Sequence, residues 1–176
     1  MEYSVSTLKT NTIQAATGTT INVASGQVLT QPGSIIQVVR NQDNTTNART
    51  NSTSSSYFDV AIWTASITPK FANSLIRIEA CAAGLVRGAT NQASLKLLRD
   101  STTVIETTRW FLTETGGTFQ AFNSAFTGYD SPNTTSAITY KIQLKNKGTT
   151  NDQIQLGGYD STGNGFASFT VMEIAQ

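Results

Sequence analysis

Residues 136–146 read SAITYKIQLKN, and their alternation decides what this chain can build. Ile138, Tyr140, Ile142 and Leu144 share one parity; Thr139, Lys141, Gln143 and Lys145 share the other. A strand sends successive side chains to opposite faces. The stretch is therefore expected to be a half-buried antiparallel strand, with one face on a core and one in water. KGTTND (147–152) turns the chain after it, DQIQLGGYD (152–160) returns, STGNG (161–165) turns again, and FASFTVMEIAQ (166–176) reads as a closing strand.

The same grammar runs upstream. SLIRIEACAAGLV (74–86) is the most apolar run and is expected at the centre of a sheet. ASLKLLRD (93–100) and TTVIETTRWFLT (102–113) read as a hairpin around RDST. YFDVAIWTASIT (57–68) alternates, with Phe58, Val60 and Ile62 on one face, and Pro69 ends it. Trp63 has the opposite parity to Phe58, so a regular strand would turn one of them outward. GTFQAFNSAFTGYD (117–130) spaces Phe119, Phe122 and Phe126 among Gly and Ser. SIIQVVR (34–40) is apolar and β-branched. The tract NQDNTTNARTNSTSSS (41–56) has no large apolar residue and reads as a long loop. No helix of normal length is visible. About eight short strands, roughly 10–15 residues apart, predict an all-β, jelly-roll-like antiparallel sandwich over 35–176.

Composition agrees. The 176 residues include 29 Thr, 17 Ser and 13 Asn, while charged residues make up only 13%. Branched Thr suits a pleated surface, and Asn, Ser and Gly suit turns. A net charge of +1 offers no basic stripe for nucleic acid. No apolar run approaches the ~18 residues of a membrane span, and MEYSVSTLKT lacks the apolar core of a secretory signal. The single cysteine, Cys81, excludes a disulfide within the chain and is expected as a small buried hydrophobe.

Residues 1–34 are different. TIQAATGT (12–19) and TINVASGQ (20–27) repeat at a period of eight, and VLTQPGS (28–34) is a shortened third copy. Each unit carries one or two large apolar residues and a glycine turn. A single-chain solenoid needs about three good repeats and caps to enclose a core. Three chains winding about one axis would instead point Ile13, Ile21, Val23, Val28 and Leu29 at a shared centre and close the exposed strand edges. Residues 1–34 are thus expected to form an intertwined stalk in a homotrimer; the plainer alternative is a hairpin packed on its own chain.

Several phrases in order resemble a family: LKTNTIQ with the repeat, SIIQVV, SYFDVAIWTASITPKFANSLIRIEA, KLLRDST, GYDSPNTTSAITYKIQLKN and SFTVMEI. Together they resemble tail-fibre-like and other virion structural proteins of tailed bacteriophages, cyanophages among them. The resemblance covers most of the chain. It implies a homotrimer with a jelly-roll-like head, located in the virion, with the stalk held by other virion proteins. Heads of this kind occur on short tail fibres that attach to a host surface glycan or protein, and on fibres that decorate capsids and stabilise the shell. A carbohydrate-binding module is the alternative from another class.

Chemistry is thinly supplied. With no histidine, the usual general base and the commonest metal ligand are missing. Glycoside cleavage needs two carboxylates across a cleft, and the 11 acids show no close pair in sequence. The expectation is a non-enzyme with no cofactor and no metal. DSTGNG (160–165) lacks the alternating acids of a calcium loop. GYDS occurs at 128–131 and 158–161 and reads as Tyr closing a strand and Asp opening a turn. Trp110, Tyr129 and Tyr159 are the candidates for receptor or subunit contact.

Overall fold

The computed structural model describes residues 31–43, 50–52, 54–87, 91–113, 119–146, 153–156 and 166–176. Residues 136–146 behave as their alternation requires. Strand β8 (Ile138–Asn146) buries every second residue without a break, from Ile138 through Tyr140, Ile142 and Leu144 to Asn146. Every other described element is also a strand or a connection between strands. In chain order these are β1 (Ile35–Asp43), β2 (Thr50–Ser52), β3 (Phe58–Ile67), β4 (Leu75–Arg87) and β5 (Asn91–Arg99). After them come β6 (Thr102–Thr113), β7 (Phe119–Asp130), β8, β9 (Gln153–Leu156) and β10 (Ala167–Ile174).

Two antiparallel sheets face each other. One runs β3-β8-β5-β6. In the other, β4 pairs with β7 along one side, and with β10 and then β9 along the other side. β1 continues outward from β10, and β2 from β9. Taking β1 with β2 and β9 with β10 as single lanes gives eight lanes in two sheets of four. Their pairing is nested: first with last (β1·β10), second with seventh (β3·β8), third with sixth (β4·β7), fourth with fifth (β5·β6). A long antiparallel ribbon rolled onto itself has this order, so the sandwich is a jelly roll.

The core lies between the sheets. Ile76, Ile78, Ala80 and Ala82 of β4 and Phe169 and Val171 of β10 meet Tyr140, Ile142 and Leu144 of β8 and Leu95 and Leu97 of β5. Trp63 is fully buried among them, and Phe58 also packs against them. The parity conflict between these two residues disappears because the β3·β8 register shifts between Asp59 and Thr64. Between these pairs β3 advances five residues and β8 two, an odd surplus that reverses the parity and restores the inward direction.

Two expectations need correction. The polar tract 41–56 is not a continuous loop: Thr50–Ser52 pairs with Leu156–Ile154, and Ser54 O accepts from Asn146 N at 3.0 Å. Backbone pairing at a sheet edge needs no apolar side chain. Cys81 is half-buried on the outer face of its sheet, because β4 turns Ala80 and Ala82 inward. Its Sγ lies 3.1 Å from Ser168 Oγ.

Gly128 on β7 leaves no room for a side chain beneath Ile105 of the facing sheet. A Cβ there would lie 3.0 Å from Ile105 Cδ1 and from the Phe126 ring. Gly128→Val is expected to cost about 1–3 kcal/mol through overpacking, read as a lowered denaturant midpoint with unchanged slope.

Candidate functional site

Three clusters place polar chemistry on this scaffold, and each joins elements distant in sequence. The first is buried. Glu173 on β10 is 0% exposed. Its Oε1 accepts from Lys70 N at 2.7 Å, Phe71 N at 3.1 Å and Ser74 Oγ at 2.7 Å; its Oε2 accepts from Gln37 Nε2 at 2.6 Å. Burial alone would raise the pKa of this carboxyl, but the hydrogen bonds from Ser74, Gln37, Phe71 and Lys70 outweigh it and hold the group below the ordinary glutamate value. It fastens β1, the β3–β4 connection and β10 together.

The second cluster links the sheets. Asp130, at the end of β7, accepts from Arg99 Nη1 and Tyr140 Oη, both at 2.7 Å. Burial and the Asp130 carboxylate push the Tyr140 hydroxyl far up, so it remains a donor. In the first GYDS, therefore, the Asp130 side chain clamps β7 to β5 and β8. The second GYDS lies outside the described residues. Nearby, the RDST hairpin places Asp100 in the left-handed region at φ 53°, as short polar side chains tolerate. Asp100 N donates to Thr139 O at 2.7 Å, and Asp100 Oδ1 accepts from Thr139 N at 2.9 Å. Asp130→Ala is expected to cost about 1–3 kcal/mol by leaving the Tyr140 hydroxyl without its acceptor; equilibrium unfolding measures it.

The third cluster covers the outer face of the β3-β8-β5-β6 sheet. Tyr57 Oη donates to Glu106 Oε1 at 2.7 Å, and Lys96 Nζ sits 4.2 Å from the Tyr57 ring centre and 3.5 Å from Glu106 Oε2. The Tyr57 hydrogen bond is the main reason Glu106 titrates below its ordinary value. Asp59 accepts from Gln143 Nε2 at 2.7 Å and Lys141 Nζ at 3.0 Å, and both lower its pKa. Tyr57 was not among the sequence candidates. Its signal was its place directly before an alternating strand.

Each of these carboxylates is engaged with donors. Among the described residues, no three of His, Cys, Asp and Glu are grouped to hold a metal. The arrangement organises surfaces and joins elements.

Of the contact candidates, Tyr129 is half exposed on the outer face of the other sheet. Trp110 lies within β6. Tyr159 and the five stalk candidates, Ile13, Ile21, Val23, Val28 and Leu29, lie outside the described residues. The structure does orient the head. Gln31 enters beside the end of β10, with Gly33 N donating to Ala175 O at 2.8 Å. The same end of the sandwich holds the β3–β4, β5–β6 and β7–β8 connections. The opposite end holds Asp43, Arg87, Asn91, Thr113, Phe119, Asn146, Gln153 and Ala167, where the strands flanking 44–49, 88–90, 114–118, 147–152 and 157–165 terminate.

No protein-family model matches the chain, and no curated protein matches it. Among solved structures, one chain shows a weak similarity. It is a chain of the T13 IBDV viral particle, from a crystal structure described as a missing link in the evolution of icosahedral viruses. Identity is 15%, the TM-score is 0.36, and the match covers 89% of this chain and 40% of that one.

Proposed function

We propose that this protein is a non-enzymatic virion structural protein that projects a jelly-roll head from an N-terminal stalk. The stalk is a homotrimer, with Ile13, Ile21, Val23, Val28 and Leu29 toward the shared axis. In the short tail-fibre form of this reading, the stalk grips another virion protein and the head meets a host surface.

The polarity of the head carries the reading. The N-terminal segment enters at one end, while the sequences 44–49, 88–90, 114–118, 147–152 and 157–165 connect strands at the other. A projecting knob needs this division between an anchored base and a free tip. Loops at the free end of a rigid scaffold are the usual place for recognition. The phage-protein resemblance of the sequence supports the same assignment.

Antibody labelling of intact particles tests it. Label at the tail is expected for a fibre. Label spread over the shell would make the protein a capsid decoration and remove host attachment as its role. Absence from purified particles would overturn the virion reading altogether.

A further inference from the structure

A sheet edge presents a row of unpaired N–H and C=O groups, and folded proteins blunt such edges with short strands, bulges, charges or proline. Among the described strands, β1, β2 and β7 stand at the edges of one sheet and β3 and β6 at those of the other. Strand β2 has only three residues. Strand β1 shifts register between Ile35 and Gln37, and the Gln37 and Asn41 side-chain amides tie it to Thr68 O and Ile62 O of the facing layer. Strand β3 shifts register between Asp59 and Thr64. Strand β6 is offset twice against β5 and carries Glu106 and Arg109. Strand β7 has none of these devices. Its 12 residues pair with β4 from Asp130 opposite Ile76 to Phe119 opposite Arg87 without a shift. FQAFNSAFTGYD contains no proline and no Lys, Arg or Glu. Its one charge, Asp130, is taken up within the chain by Arg99 and Tyr140.

The free backbone groups of β7 can be named. Ala83 N donates to Phe166 O at 3.0 Å, so the odd-numbered residues of β4 aim their backbone groups away from β7 and the even-numbered ones toward it. Ser124 Oγ, which donates to Ala82 O at 3.3 Å, agrees. Ala82, Ala80 and Ile78 stand opposite Ser124, Phe126 and Gly128, whose backbone groups therefore close the β4 ladder. The N–H and C=O of Asn123, Ala125, Thr127 and Tyr129 point out of the edge, where no described strand lies. The side chains of these four residues are exposed as well.

We propose that β7 pairs antiparallel with β7 of a second copy about a twofold axis, joining the two β4-containing sheets into one. The second copy is the occupant that the edge fits. Among the described edges, only another β7 offers the same length without a bulge, so the two ladders match along their run. A self-complementary contact also uses both edges at once and leaves no new one. Antiparallel order sends the two Asp130 side chains to opposite ends, so no like charges meet. The contact consists mainly of backbone hydrogen bonds, each of small net worth, and it must offset the lost freedom of two bodies. It therefore forms at high local concentration and leaves the dilute protein at its basic mass. It stands independently of the stalk and of the virion role.

Sedimentation equilibrium of the full-length protein from about 1 μM to about 1 mM tests the pairing. The weight-average mass is expected to rise at least twofold above its dilute value, whether the dilute unit is one chain or three. Thr127→Pro removes one outward N–H and leaves the β4 ladder whole. Ala125→Lys brings like charges together near the middle of the paired strands. Each variant is expected to hold the mass at its dilute value. Unchanged hydrogen exchange in a peptide covering β8 shows that the variant heads are folded. In the wild type, the amides of Asn123, Ala125, Thr127 and Tyr129 should gain protection as concentration rises. A mass that does not rise, or a rise that survives Ala125→Lys, would overturn the proposal. Full protection of those amides in the dilute protein would sink it too, because the edge would then already be covered.

Discussion

Glu173→Ala is expected to destabilise the head by about 3–5 kcal/mol, a large fraction of the marginal stability of a domain this size. The substitution removes the acceptor for four donors at once: Lys70 N, Phe71 N, Ser74 Oγ and Gln37 Nε2. A group buried without its partner costs its full desolvation. Glu173→Gln is not an escape. Its amide nitrogen must face either the three donors at one oxygen or the Gln37 amide at the other. Gln37 cannot simply flip, because its Nε2 also donates to Thr68 O at 2.7 Å. Chemical denaturation of the variants measures both effects.

The same residue sets an acid limit. Its folded pKa is lowered from 4.5, so its stabilising contribution is complete above pH 4.5 and falls away as pH drops through the folded value. Wild-type stability should therefore rise with pH across that acid range. The slope should be shallower in Glu173→Gln, which has no carboxyl at this position to protonate. Equal slopes in the two proteins would show that other carboxylates dominate.

Ile21→Asp is expected to abolish assembly. In an intertwined trimer it places three charges near one axis without partners, and uncompensated buried charge is among the costliest of changes. Native mass measurement should find the wild type at three times the 18.8 kDa chain mass and the variant at a single chain with a folded head. A soluble trimer of the variant would show that Ile21 faces outward, and a monomeric wild type would remove the stalk model.

Strand content and the two-sheet sandwich were legible because most strands carry their own period. β8 is the clearest, and the RDST hairpin is closed by local sequence alone. What sequence concealed depends on partners. The inward turn of both Phe58 and Trp63 rests on a bulge, visible only in the pairing with β8. Strand β2 exists because β9 lies beside it, not because TNS favours extension. SIIQVVR is apolar at both parities, so its sequence did not show that Ile35 and Val38 face outward on edge strand β1 while Val39 packs against the core. The Glu173 cluster was invisible for a simpler reason: its donors come from residues 99 to 136 positions away.

The nested pairing of lanes has a consequence for synthesis. The innermost hairpin, β5–β6, can close as soon as it leaves the ribosome. The outermost pair cannot, because β10 is made after β1 to β9 and fills the lane between β1 and β4. Until β10 emerges, β1 has no neighbour within its sheet among the described residues, and the first half of β4 is paired on one side only, with β7. A chain that lacks β10 is therefore split down the middle of a sheet rather than trimmed at its rim. Synthesis of β10 becomes the checkpoint for folding, and products that lack it present open edges to the cell's proteases.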